Sequence, residues 1–242
     1  MSISSNSQEQ RKFVSLPQPL NYLDWCSRNW ELIKIRKPDI YELKIKLAET
    51  EPTIYRTILI PADTTLKKLH LVIQKSFNWW NYHLFQFVGF GKNNTLEQVF
   101  QDTNKMVYEY DFGTTQTHLI TKIKTHKFDE NMEHKVFPVC IEAGRFAPFE
   151  DSSDWDYMLE IAKDKTHDEH EETIDWLKDM WRQTTMGYQG SFSVSKVVSK
   201  KVNFWLINSE LAMLQLYPIK DYKEHQIPTS ASEFKKQLAI NS

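Results

Sequence analysis

Residues 41–47 alternate without a break: Tyr41, Leu43, Ile45 and Leu47 are apolar, and Glu42, Lys44 and Lys46 between them are charged. A period of two buries one face of a β-strand and wets the other, whereas a helix would scatter the same side chains around its circumference. A second β-rich run covers 54–60 and closes at Pro61. Glu51, Pro52 and Thr53 supply the turn between them, which predicts an antiparallel hairpin. Asp63 or Thr64 then caps a helix over about 65–77, with Leu66, Leu69, Ile73 and Phe77 recurring at intervals of three and four. Its apolar stripe has to lie on the hairpin. Runs at 83–90, 106–112 and 118–124 read as further strands, the last two joined by a turn at Gly113. Regular βαβ alternation is missing, so the expected class is α+β, a mixed or antiparallel sheet with a packed helix, rather than a doubly wound parallel sheet.

The flanks have other textures. Residues 1–40 read as a Ser/Asn/Gln-rich disordered leader and a short helix, with Leu20, Leu23, Trp30 and Ile33 on one face and a stop at Pro38. Residues 41–182 form the main domain. It ends in two acidic helices, roughly 155–162 and 168–182, the second with Trp176, Leu177, Met180 and Trp181 on its apolar side. Residues 183–242 read as a β-rich C-terminal extension, with strands expected at 191–199, 201–208 and 212–217.

Composition narrows the chemistry. Six glycines in 242 residues is well below the usual ~7%, and no G-x-G-x-x-G or G-x-x-x-x-G-K occurs, which argues against common nucleotide-binding loops. The net charge of −2 hides an asymmetry: residues 150–180 hold twelve acids against three lysines, −9, so the remainder carries +7. Such a field steers a charged partner or simply solvates a helix pair. Cys26 and Cys140 are far apart with no C-x-x-C, as expected of buried thiols in a reducing cytoplasm. No run of 18 apolar residues and no apolar leader occurs, so neither membrane spanning nor secretion is expected.

Read together, these segments resemble a known family. Tyr41, Glu42, Leu43, Lys44 and Ile45, then Ile54, Tyr55 and Arg56, then Pro61, Ala62 and Asp63 open the pattern. Leu66, Leu69, His70, Ile73 and Gln74 follow on the helix, and His83, Leu84 and Phe87 on the next strand. Tyr110, Asp111, Phe112 and Gly113 come next, with His118 after the turn, then Cys140, Arg145, Pro148, Glu150 and Asp151. His167 to Glu172 and Trp176 complete it. In this order they resemble the plasmid pRiA4b ORF-3-like family over about 41–181. The resemblance implies a compact α+β fold and an origin among plasmids and passenger genes of insertion elements. It departs at Thr114, Thr115 and Gln116, where relatives carry acidic and Trp residues, and at Ala147 and Ser152, where relatives often have cysteines. A cysteine-based metal site is not expected.

Candidate residues carry two readings each. Asp111 and His118 flank a turn, so a carboxylate could orient an imidazole for general acid–base work, or Asp111 could serve the turn and His118 pack at its rim. Glu150 and Asp151 could bind an ion or charged ligand with Arg145, or cap the following helix and pair with Arg145. Trp79 and Trp80 beside Lys67, Lys68 and Lys75 suit stacking of single-stranded nucleic acid, or seal a helix on a sheet. Lys34, Arg36, Lys37, Lys44 and Lys46 extend the basic reading. His83 reads as a hydrogen-bonded edge histidine, and His167 with His170 lacks the i, i+4 spacing that puts two ligands on one helical face. No H-x-x-R or G-x-S-x-G occurs. The expectation is a non-enzymatic, cytoplasmic interaction module of a mobile-element or defence-associated locus. It binds a protein or nucleic acid through Trp79, Trp80, His83, Lys67, Lys68 and Arg145, with no cofactor, metal or membrane. The alternative is a hydrolase or nucleic-acid-processing enzyme built on Asp111, His118, Glu150 and Asp151.

Overall fold

The alternation at 41–47 becomes β1 (Ile40–Leu47), in which Tyr41, Leu43, Ile45 and Leu47 are buried. In the computed structural model, which describes residues 34, 36–131, 137–152, 154–183, 191–197, 199, 207–208, 210–211 and 214, this strand is central. β2 (Tyr55–Pro61) pairs with one edge of it, Leu43 opposite Ile58 and Ile45 opposite Arg56. Its other edge pairs with β5 (Gln116–His126), with a bulge between Glu42 and Leu43. β3 (Phe85–Phe87), β4 (Lys105–Tyr110) and β6 (Val139–Gly144) complete a six-stranded sheet of order β3-β4-β5-β1-β2-β6, antiparallel at every pairing. The α+β class and both predicted hairpins are present. The short edge strands β3 and β6 lie at the two ends.

Helix α1 (Leu66–Phe77) lies over one face, burying Leu66, Leu69, Val72, Ile73 and Phe77. Thr65 rather than Asp63 or Thr64 is its N-cap, accepting from the Lys68 N–H, and left-handed Asn78 ends it. Beneath its last turn, Arg56 is fully buried. Its Nε donates to Ser76 O at 2.8 Å, and Nη1 donates to the carbonyls of Tyr55, Gly144 and Arg145. The guanidinium also lies 4.8 Å from the Phe77 ring centre. Carbonyls at a helix C-terminus favour a cation, so one side chain ties β2, the end of β6 and α1 together. Burial nevertheless lowers its pKa to about 10.

After a single turn, α2 (Leu96–Val99), the chain returns to the sheet, and beyond β6 come the two acidic helices, α3 (Trp155–Lys163) and α4 (His170–Gln183). Phe146, Phe149, Trp155, Leu159, Leu177 and Trp181 extend the core beneath them. Among the described residues, the C-terminal strand expectation is corrected. The run expected as strand at 191–199 contains a short helix, α5 (Val194–Val197), and Ile207, Asn208, Glu210 and Leu211 are helical, with no strand beyond β6 among the described residues. The leader, Cys26 and most of the expected N-terminal helix lie outside the described residues, although Lys34 and Arg36 are helical.

Candidate functional site

Seven residues between α1 and β3 (78–84) make no regular structure, yet Trp79, Trp80, Asn81 and His83 are each tied to the rest of the fold by a hydrogen bond. Trp79 is buried, stacks on Tyr110 with ring centres 5.2 Å apart, and donates from Nε1 to Pro148 O at 2.8 Å. The Trp80 N–H donates to Glu150 Oε2 at 2.5 Å, and the Tyr110 hydroxyl donates to the other oxygen of Glu150. The His83 N–H donates to that same Tyr110 hydroxyl at 3.2 Å. Left-handed Asn81 accepts from buried His70 Nε2 at 2.7 Å, so His70 Nδ1 receives the Tyr108 hydroxyl at 2.8 Å. Burial holds the His70 pKa at about 4, in keeping with that neutral tautomer.

This scaffold aims the His83 ring at two carboxylates. Asp111, left-handed at φ 59°, follows β4; its N–H donates to Leu84 O at 3.0 Å, and its carboxylate accepts from Gly113 N–H at 3.0 Å and Thr114 Oγ1 at 2.5 Å. Burial pushes the Asp111 pKa upward, but these bonds and the nearby His83 outweigh it and hold it below the ordinary value. Asp151, left-handed at φ 65°, comes in from the loop beyond β6 and is 63% exposed. His83 Nδ1 is 3.6 Å from Asp111 Oδ1, and Nε2 is 3.1 Å from Asp151 Oδ1. Asp and Asn tolerate a positive φ better than other non-glycine residues, so both acids suit their backbone as well as their neighbour. Around the cluster stand Tyr82, 76% exposed, Leu84, 71%, and Phe112, 50%.

The residues singled out in the sequence are therefore distributed as follows. His83, Asp111 and Asp151 meet. His118 does not join them: it lies opposite Tyr108 on the inner face, fully buried among Phe77, Trp79 and Tyr108, and burial drives its pKa down to about 3. Glu150 is buried and committed to Trp80 and Tyr110. The helix after it is capped by Asp154, not by Glu150 or Asp151. Arg145 pairs with neither of those acids but donates to Pro52 O at 2.9 Å and to Asp156 at 3.5 Å. Of the residues offered for stacking, Trp79 points inward, Trp80 is half-buried against the core, Lys68 is half-buried, Lys75 pairs with Glu210 at 3.0 Å, and Lys67 is exposed on α1. Of the wider basic set, Arg36 pairs with Asp63, and Lys37 lies 3.9 Å from Glu130. Lys44 sits over the Tyr55 ring and Lys46 is exposed. Cys140 is a buried thiol with its pKa pushed up to about 12 by burial. His167 accepts from Glu169 N–H, and His170 bonds to Ile161 O, both at the start of α4. No helix among the described residues is long and apolar enough to cross a membrane.

Sequence reasoning missed the meeting of His83 with Asp111. The signal was present in the hairpin pairing, since a β3 that pairs Phe85 with Tyr110 carries the preceding loop to the turn beyond β4.

Comparison with known proteins agrees with this architecture. The chain is 31% identical over 159 residues to the uncharacterized protein y4hQ of Sinorhizobium fredii (strain NBRC 101917 / NGR234), a match covering 57% of this chain and 80% of that one. The crystal structure of a protein of unknown function, MM3350 from Methanosarcina mazei Go1, superposes with a TM-score of 0.54 at 27% identity, covering 66% of this chain and 98% of that one. Residues 39–189 match the model of the plasmid pRiA4b ORF-3-like proteins, and the chain belongs to that family.

Proposed function

We propose that this protein is a non-enzymatic binding module that docks a protein partner on the apolar rim around His83. The observation that carries the reading is the exposure of Tyr82, Leu84 and Phe112 together, on loops whose backbones are fixed from beneath. Large apolar side chains that stay in water on a rigid base are the usual mark of an interaction surface. A protein fits better than a nucleic acid, because among the described residues cations are not gathered at the rim: Lys75 pairs with Glu210 and Arg145 with Asp156. The family's link to a plasmid supports a setting in a mobile-element or defence-associated locus.

The test is site-specific photo-crosslinking in cells, with the reactive residue placed at Leu84 or Phe112 and, as a control, at exposed Tyr157 on α3. Discrete protein adducts are expected from positions 84 and 112 and not from 157, and Tyr82→Ser should remove them while changing stability by no more than about 0.5 kcal/mol. Adducts that are absent, or identical from all three positions, would refute the reading.

A further inference from the structure

The geometry points to a divalent transition-metal ion held by His83, Asp111 and Asp151. Each offers one ligand atom, and the three atoms lie within 4.8 Å of one another. An ion bound at about 2.0–2.2 Å to nitrogen and oxygen brings its ligand atoms to about 3–3.5 Å apart. The His83 Nε2–Asp151 separation of 3.1 Å already lies in that range. Asp111 Oδ1 is nearest the other ring nitrogen, Nδ1, at 3.6 Å, so its carboxylate closes in from within 4.8 Å to share an ion held at Nε2.

A second observation concerns how the ring is used. His83 Nε2 is buried and makes no hydrogen bond, although a carboxylate oxygen is 3.1 Å away. His126 Nε2 is a similar 3.0 Å from Glu42 Oε2 and does bond to it. The Asp151 oxygen therefore stands off the line along which the ring would donate. This suits two groups that share a cation better than two that share a proton. Neither ring nitrogen of His83 is committed to a hydrogen bond, so Nε2 is open to an ion.

The loops that carry the donors are also fixed. The His83 backbone is held by Tyr110, Asp111 by Gly113, Thr114 and Leu84, and Asp151 follows Glu150, which is bound at both oxygens. One imidazole and two carboxylates suit zinc or manganese better than calcium or magnesium, which prefer all-oxygen shells. The two carboxylates supply the negative charge that a divalent ion cancels. The exposed side of Asp151 leaves room for water to complete the shell. This inference does not depend on partner docking.

The test uses the full chain, free of affinity tags and stripped with chelator, titrated calorimetrically with Zn²⁺ and with Mn²⁺. Saturable binding of one ion per chain is expected for at least one of them, with a higher melting temperature in its presence. His83→Gln, Asp111→Asn and Asp151→Asn should each weaken binding about tenfold or more. Asn retains the left-handed backbone at both acids, so the metal-free variants should melt close to the parent. Should Asp111→Asn fold poorly, the exposed Asp151→Asn and His83→Gln still decide. No saturable binding by the parent chain, or binding unchanged in both of those variants, would overturn the site.

Discussion

Two buried histidines make stability depend on pH in a defined window. His118 and His70 titrate near 3 and 4 in the folded protein because burial disfavours their charged forms, while an unfolded histidine titrates near ~6.5. Below ~6.5 the unfolded chain takes up protons that the folded one refuses, so stability falls as the pH is lowered from there toward 4. The loss should be on the order of 1 kcal/mol per pH unit for each ring. Urea unfolding at pH 6.5, 5.5 and 4.5 would check it, and His118→Phe should flatten the slope by about half. Arg56 gives a second expectation. Its planar fork reaches four carbonyls, which the single ammonium of lysine cannot do. Arg56→Lys should therefore cost about 2–3 kcal/mol in denaturant unfolding. At this scale the sequence was half legible: the turn-forming character of Asp111 and the packing role of Trp79 could be read from their neighbours. Which imidazole would face Asp111 could not, because His83 and His118 flank it in the chain and only strand direction separates one that points into the core from one at the rim.

At the scale of elements, alternation and capping carried most of the prediction, and they failed where a tertiary contact replaced them. The strand β6 lacks alternation and sits in a segment rich in candidate ligands, so its pairing with β2 was not read. The 191–199 run, rich in valine and serine, suggests a strand, yet there Phe192 packs edge-on to Trp181 and Val197 is buried, so one helical turn satisfies the apolar residues. Intrinsic β preference is weak against such packing. The same region protects the sheet. Asn208 accepts from the Cys140 N–H at 2.8 Å and donates to the Cys140 carbonyl at 3.1 Å, occupying backbone groups on the edge of β6 that a further strand would otherwise pair with. Asn208→Ala should cost about 1–3 kcal/mol for the two buried groups left without partners. It should also raise the dimer or aggregate fraction seen by size-exclusion chromatography. A variant that stays monomeric and equally stable would show that the edge is guarded by other means.

Across the whole molecule, the class, the two hairpins and the acidic helix pair were legible, because each is local in sequence. The joining of β1 to β5 was not, since nothing in either segment names a partner so far along the chain. That join sets the order in which the sheet can be completed. The β1–β2 hairpin closes over a short turn, and so does β4–β5, but the seam between them requires residues 40–47 to meet 118–126. On the ribosome, the first hairpin emerges with one side of its inner strand bare and stays so until the fifth strand has left the exit tunnel. A chain arrested before that point would present an unfinished seam to its neighbours, and the outer edge of β2 stays bare longer still, until β6 has followed.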